Sequence, residues 1–208
     1  MTNLWTAIRT RRVLTIAIGV LLVAGVTTSA VLFGFAYGDP AKAVNATNSS
    51  ASSTPGDFSQ FRNDPAGFEL AYPTSWSKLT SKDPQVLLLL AQGTQDSFLV
   101  RSSELQAPVG REQLPAAKQV TDKIVNANKT VQMIAEPKQI ELGGLPGFFY
   151  FYSFKDPTSG QEGVHSHYFL FNGKTMISLV FQAIPKDRFT TSAQTFDKIT
   201  ATFHALKK

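Results

Sequence analysis

VQMIAEPKQIELGGLPGFFYFYSFKDPTSGQEGVHSHYFLFNGKTMISLVFQA, residues Val131–Ala183, decides the fold. Four β-rich runs are separated by turn residues: Val131–Leu142, Gly147–Phe154, Val164–Phe171 and Thr175–Ala183. Gly143-Gly144, Asp156-Pro157-Thr158-Ser159-Gly160 and Asn172-Gly173 fill the gaps. Asn-Gly and Gly-Gly suit two-residue hairpin turns, whose central residues take positive φ. The spacing predicts an antiparallel meander. In Phe148-Phe149-Tyr150-Phe151-Tyr152 both alternating positions are aromatic, whereas a strand with one wet face would alternate apolar with polar. Both faces of the sheet are therefore expected to be covered.

Before the meander, Gly67–Tyr72 alternates as a strand and is stopped by Pro73. Val86–Leu90 is a short apolar run, and Ser97–Ser103 reads as another strand. Over Arg111–Asn128 the period becomes helical, with Leu114, Ala117, Val120 and Ile124 on one stripe. Pro115 fits only a first turn, and Asn128 suits a C-terminal stop. A last helix is expected to carry Phe189, Phe196, Ile199, Phe203 and Leu206 on one face. The predicted fold class is α+β: an antiparallel sheet of about six or seven strands with helices packed on its faces, preceded by one transmembrane helix.

That membrane helix is read from residues 13–37, which form an uncharged run long enough to cross a hydrocarbon core of ~30 Å. Arg9, Arg11 and Arg12 precede it. Positive residues stay on the cytoplasmic side, so 1–12 is expected inside and the remainder extracytoplasmic. Signal-peptide cores are only ~7–15 residues long, which favours an uncleaved signal-anchor. The competing reading is cleavage near Thr28-Ser29-Ala30 or Ala41-Lys42-Ala43. Residues 38–60, rich in Ser, Thr, Ala, Asn, Gly and Pro, read as a flexible linker. The soluble domain is placed at 61–208, its start falling near Phe58 or Phe61.

The net charge of +5 is largely an N-terminal effect. The three arginines leave 17 of the 20 Lys/Arg against all 15 Asp/Glu in the rest of the chain. A nearly neutral domain with scattered cations is a poor nucleic-acid binder. The absence of cysteine excludes disulfides, thiolate metal sites, a cysteine nucleophile and a lipid-bearing cysteine anchor.

Candidate chemistry is sparse. His165 and His167, at i and i+2 on a strand, face the same side and could share one metal ion. A metal site wants three or four ligands, and nearby Glu162 sits at the strand entrance. They are read instead as two surface histidines. No Gly-x-Ser-x-Gly elbow appears, and His204 is expected in a solvated position on the last helix. The glycine-rich turn at 143–147 lacks the Lys-Ser/Thr ending of a phosphate loop. The aromatic run Phe148–Tyr152 could line a hydrophobic ligand pocket, but core packing is the favoured reading for it and for Trp76. No catalytic residue, metal or cofactor is assigned, and the chain is not expected to be an enzyme.

Gly67-Phe68-Glu69-Leu70-Ala71-Tyr72-Pro73-Thr74-Ser75-Trp76, an aromatic strand running into Tyr-Pro and then Trp, resembles the opening of the PsbP/Mog1-like fold. The resemblance extends over the order of elements from Phe58 to Leu206. Its motif is a packing signature, with Pro73 ending the strand and Trp76 plugging the space beside it. Members of that fold include extrinsic photosystem proteins, a factor that binds a small GTPase, and bacterial cell-envelope proteins. The resemblance implies a noncatalytic binding or assembly module with a protein partner in the membrane or envelope, or alternatively a binder of a small lipid or glycan. Sequencing the mature N-terminus tests the anchor: it should read Met1 or Thr2, and a start at Val31 or Val44 would show cleavage.

Overall fold

The computed structural model describes residues 57–93 and 96–207. The expected membrane helix at 13–37 and most of the linker lie outside the described residues. No helix among the described residues is long and apolar enough to cross a membrane.

The order of elements is β1 (Phe58–Asn63), β2 (Phe68–Pro73), β3 (Ser77–Lys78), β4 (Val86–Gln92), β5 (Asp96–Val109), α1 (Leu114–Asn126), β6 (Gln132–Leu142), β7 (Leu145–Lys155), β8 (Glu162–Ala183), α2 (Phe189–Ala201) and β9 (His204–Ala205). β1, at Phe58, starts three residues before the boundary placed at Phe61. The strands form a six-stranded sheet in the order β3-β4-β5-β8-β7-β6 and a three-stranded sheet, β1-β2-β9. The second sheet was not anticipated, because a two-residue strand such as β9 leaves no period to read.

β6 and β7 meet at Gly143-Gly144, where Leu142 faces Leu145 and the glycines take φ of 57° and 86°. The sequence predicts a hairpin turn here; the structure tightens it to two residues, β7 starting at Leu145 and not at Gly147. β8 is extended over 22 residues, yet it doubles back on itself. Its first part, Glu162–Leu170, pairs with β7, and its last part, from Gly173 on, pairs with β5. His165 Nε2 lies 2.9 Å from Gln182 Oε1, whereas 17 residues of straight strand would separate them by roughly 55 Å. The reversal falls at Asn172-Gly173, with Gly173 at φ 61°. Asn172 Nδ2 then donates to the carbonyls of Ala66 and Gly67, tying the hairpin tip to the small sheet.

The large sheet is covered on both sides. Against one face lies α1, its buried residues Leu114, Ala117, Thr121 and Val125 resting on Phe148, Tyr150, Tyr152, Phe169, Phe171 and Met176. The inward stripe is rotated from the expected one: Ile124 is 42% exposed, and Thr121 is buried instead. Thr121 turns inward because its hydroxyl meets Tyr150 Oη at 2.6 Å. The other face packs against α2 and the small sheet through Phe68, Leu70, Trp76, Leu90, Phe98, Ile177, Phe181, Phe196 and Phe203.

α2 stops at Ala201, short of the expected stripe through Leu206. Thr202 ends it: its hydroxyl contacts both the amide and the carbonyl of Ala71 on β2, at 2.8 and 3.1 Å. The chain then turns into β9, and Phe203 still reaches the core. His204, placed on the helix by its spacing, is an exposed residue of β9. Asp96, 1% exposed, anchors the other end of α2. It accepts two bonds from the Arg188 guanidinium, at 3.1 and 2.9 Å, and one from Ser192 Oγ at 2.7 Å. Removing one partner of a buried ion pair costs more than the pair contributes, because a desolvated charge remains. Arg188→Ala is therefore expected to lower the unfolding free energy by about 2–3 kcal/mol, read from urea denaturation.

Candidate functional site

Sequence reading singles out His165 and His167. The structure places them on the α1 side of the large sheet, 5% and 6% exposed. They are not surface histidines. The aromatic residues on both sides of them in sequence and across the hairpin raise a wall around the rings. His167 stacks on Phe169 at 3.9 Å, and His165 packs on Phe154 at 4.2 Å. Both present Nδ1 to the Tyr152 hydroxyl, at 3.1 Å for His165 and 3.2 Å for His167. The two rings thus share one phenol. Among the described residues no three His, Cys, Asp or Glu side chains gather closely enough to hold a metal. Glu162 lies elsewhere, beside Lys186.

Burial sets the protonation of this cluster. Desolvation disfavours charged imidazole, lowering His165 to about 4 despite its bond to Gln182. His167 is pushed well below the ordinary histidine value, by burial first and by the neighbouring His165 second. Burial likewise raises the Tyr152 phenol. At neutral pH all three groups are uncharged.

An open cleft of about 350 Å³ lies on the opposite face, between the sheet and the first turn of α2. Phe151, Val164, Phe189 and Ile134 supply apolar walls; Ser153, Thr190 and the Lys186–Glu162 ion pair, 2.6 Å apart, supply polar ones. The Lys186 ammonium, helped by Ser153, holds the Glu162 carboxyl below the usual carboxylate range. Because these two charges satisfy one another, the mouth is electrically neutral. Of the lining residues Ile134 is 49% exposed; its neighbour Met133, 39% exposed, is paired with Tyr152 and belongs to the α1 side.

Sequence reading names Phe151 and Glu162 among the lining residues but singles out neither Met133 nor Ile134. The signal available was Pro137: a proline inside a strand marks an edge, so Met133 and Ile134 have no strand beyond them to cover them. β6 is indeed the sheet's edge, with register shifts between Met133 and Ala135 and between Ala135 and Lys138. Bulges, proline and lysine blunt an edge against strand addition. The opposite edge, β3, is two residues long. Neither edge of the large sheet is thus suited to strand addition.

No protein-family model matches the sequence, and no curated protein matches it. Solved structures do. The cyanobacterial PsbP protein (CyanoP) of Synechocystis aligns over 76% of this chain and 98% of its own, at 16% identity and a TM-score of 0.53. LpqN of Mycobacterium tuberculosis, described as involved in cell envelope biogenesis, aligns over 74% of this chain and 88% of its own, at 14% identity and a TM-score of 0.54. A Bacteroides thetaiotaomicron protein aligns over 73% of this chain and half of its own, at 16% identity and a TM-score of 0.51. The domain has the PsbP/Mog1-like fold. The Tyr-Pro…Trp opening bears this out at residue level: Pro73 closes β2, and Trp76, 5% exposed, meets Phe196 edge-on at 6.1 Å.

Removing the phenol hydroxyl by Tyr152→Phe takes away the bond shared by two buried rings. A buried polar group deprived of its partner costs ~1–3 kcal/mol. Equilibrium unfolding of the variant at pH 7 should show a loss of that size.

Proposed function

We propose that the chain is a noncatalytic, membrane-tethered binding or assembly module acting on the outer face of the membrane, where its domain docks on a protein of the membrane or envelope. The observation that carries this reading is the half-exposed Ile134 at the open Phe151–Phe189 cleft. An exposed apolar side chain at a concave, neutral surface with apolar walls suits a protein contact. The uncharged run at 13–37 and the linker after it supply the tether, with the N-terminus cytoplasmic. The likeness to LpqN, an envelope-biogenesis protein by its description, supports an extracytoplasmic setting. The described clusters of titratable groups favour a noncatalytic role: the histidines are enclosed and neutral, and the charges in the cleft are paired.

The alternative reading is a small lipid or glycan ligand in the same cleft, whose volume falls at the lower end of ligand sites. The exposed Ile134 at the open mouth favours the protein contact, because a small ligand would leave part of it in water. Crosslinking the intact protein in its native membrane should capture a reproducible partner. Ile134→Asp should abolish that capture while shifting stability by no more than ~0.5 kcal/mol, as an exposed substitution does. Loss of capture without a change in thermal unfolding supports the cleft as the docking surface; undiminished capture refutes it.

A further inference from the structure

The buried histidine cluster has a definite hydrogen-bond polarity. Gln182 Oε1 can only accept, so His165 carries its proton on Nε2, 2.9 Å away. Its Nδ1 is then a bare acceptor and takes the Tyr152 hydroxyl proton at 3.1 Å. With that proton committed, the phenol oxygen accepts from His167, which must be protonated on Nδ1 at 3.2 Å. His167 Nε2 is left as a bare lone pair. It finds no hydrogen-bond partner among the described residues, although it is fully enclosed. The chain runs one way, from His167 through Tyr152 and His165 to Gln182, and it ends in a nitrogen with nothing to hold a second proton.

The position of this chain matters. His167 is directly across from Tyr150 in the β7–β8 ladder, and His165 is across from Tyr152. The Tyr150 hydroxyl donates to Asp122 at 2.7 Å and meets Thr121 at 2.6 Å, so it is the polar clasp that holds α1 to the sheet. The rest of the α1 contact surface comes from Leu114, Ala117 and Val125, two of them small. The ladder beneath is backbone-bonded and does not depend on the rings. The element most easily released is α1.

We infer that this chain is a proton-operated latch: α1 is closed on the sheet while His165 and His167 are both neutral, and acidification opens α1. A proton on His167 Nε2 would put a charge against Phe169 with no acceptor to receive it. A proton on His165 Nδ1 would displace the Tyr152 donor and reverse the chain. The charged and titratable groups facing the pair do not offset this. From β7 come Tyr150 and Tyr152. From α1 come Asp122 and Lys118, engaged with each other at 2.8 Å. From β5 comes Arg101, paired with Asp83 at 3.3 Å. The sign follows from the two states. In the opened state the rings regain an ordinary histidine affinity for protons, near pH 6.5, and in the closed state they do not. Opening is therefore unaffected above about pH 6.5 and grows as pH falls below it.

Hydrogen–deuterium exchange of the full-length chain at pH 7.5 and pH 5.0, corrected for the intrinsic pH dependence of exchange, reads the latch. Protection of residues 114–126 should drop by about tenfold or more at pH 5.0, while β5 and β7 amides keep theirs. In His167→Phe, which stacks without titrating, that drop should shrink to the part His165 alone supplies, about half on a logarithmic scale. Equal α1 protection at both pH values in the wild type would overturn the latch, as would an undiminished drop in His167→Phe or a loss shared by every element. If His167→Phe does not fold, nitrogen-15 imidazole spectra of the wild type at pH 7.5 decide. The expected tautomers are Nε2–H on His165 and Nδ1–H on His167; any other pair refutes the chain on which the latch depends.

Discussion

Phe98 stacks on Phe181 with ring centroids 4.4 Å apart, and Phe181 in turn meets Phe196 of α2 at 5.0 Å. Around these rings the large sheet, α2 and the small sheet come together, with Phe68 and Phe203 stacked at 5.5 Å on the far side. The contact works because β5 and the returning half of β8 are in a register that sets Phe98 opposite Phe181. A one-residue slip of either strand would put the two rings on opposite faces of the sheet. That register depends on where β8 reverses, and the reversal is fixed by Gly173 and by the Asn172 side chain bonded to the β1–β2 turn. Local turn chemistry and the largest apolar contact thus enforce one another.

The same sheet treats its two faces differently. Toward α2 and the small sheet it is mostly apolar, interrupted by the Asp96 cluster, Ser166 and the polar wall of the cleft. Toward α1 it interrupts an aromatic layer with two imidazoles and a phenol, all satisfied through one another except for a single nitrogen. Burying such groups costs several kcal/mol unless they are paired. The first face contributes stability, and the second gives up some of it for a polarity that responds to protons.

Much of this was legible in the chain. Gly143-Gly144 and Asn172-Gly173 located the two tight reversals, because few other residues accept positive φ. Pro115 located the first turn of α1, and Pro73 the end of β2. The two-faced aromatic run Phe148–Tyr152 announced a sheet covered on both sides. What escaped were features decided at a distance. Thr202 reads as one more helical residue until Ala71, 131 positions away, offers it an amide and a carbonyl. Thr121 reads as surface until Tyr150 meets it. His165 and His167 alternate correctly for a shared face, but nothing local says that the face is buried. The cleft joins residues from β6, β7, β8 and the approach to α2, and no linear pattern gathers them.

The pairing of β2 with β9, Phe68 beside Ala205, brings the first and last parts of the domain into one ladder. Ala205 N donates to Gly143 and Leu206 N to Gly67, so the final residues also close the gap between the two sheets. Phe203, 1% exposed, fills the core only when they arrive. A chain made from its N-terminus onward must therefore wait for residues 203–206 before its largest apolar cluster can shut. Until then β2 lacks a neighbour on one side and Phe68 lacks its stacking partner. Closure of the domain is thereby tied to β9, so a product that stops after Thr202 would remain open to proteolysis while a chain that carries residues 203–206 seals itself.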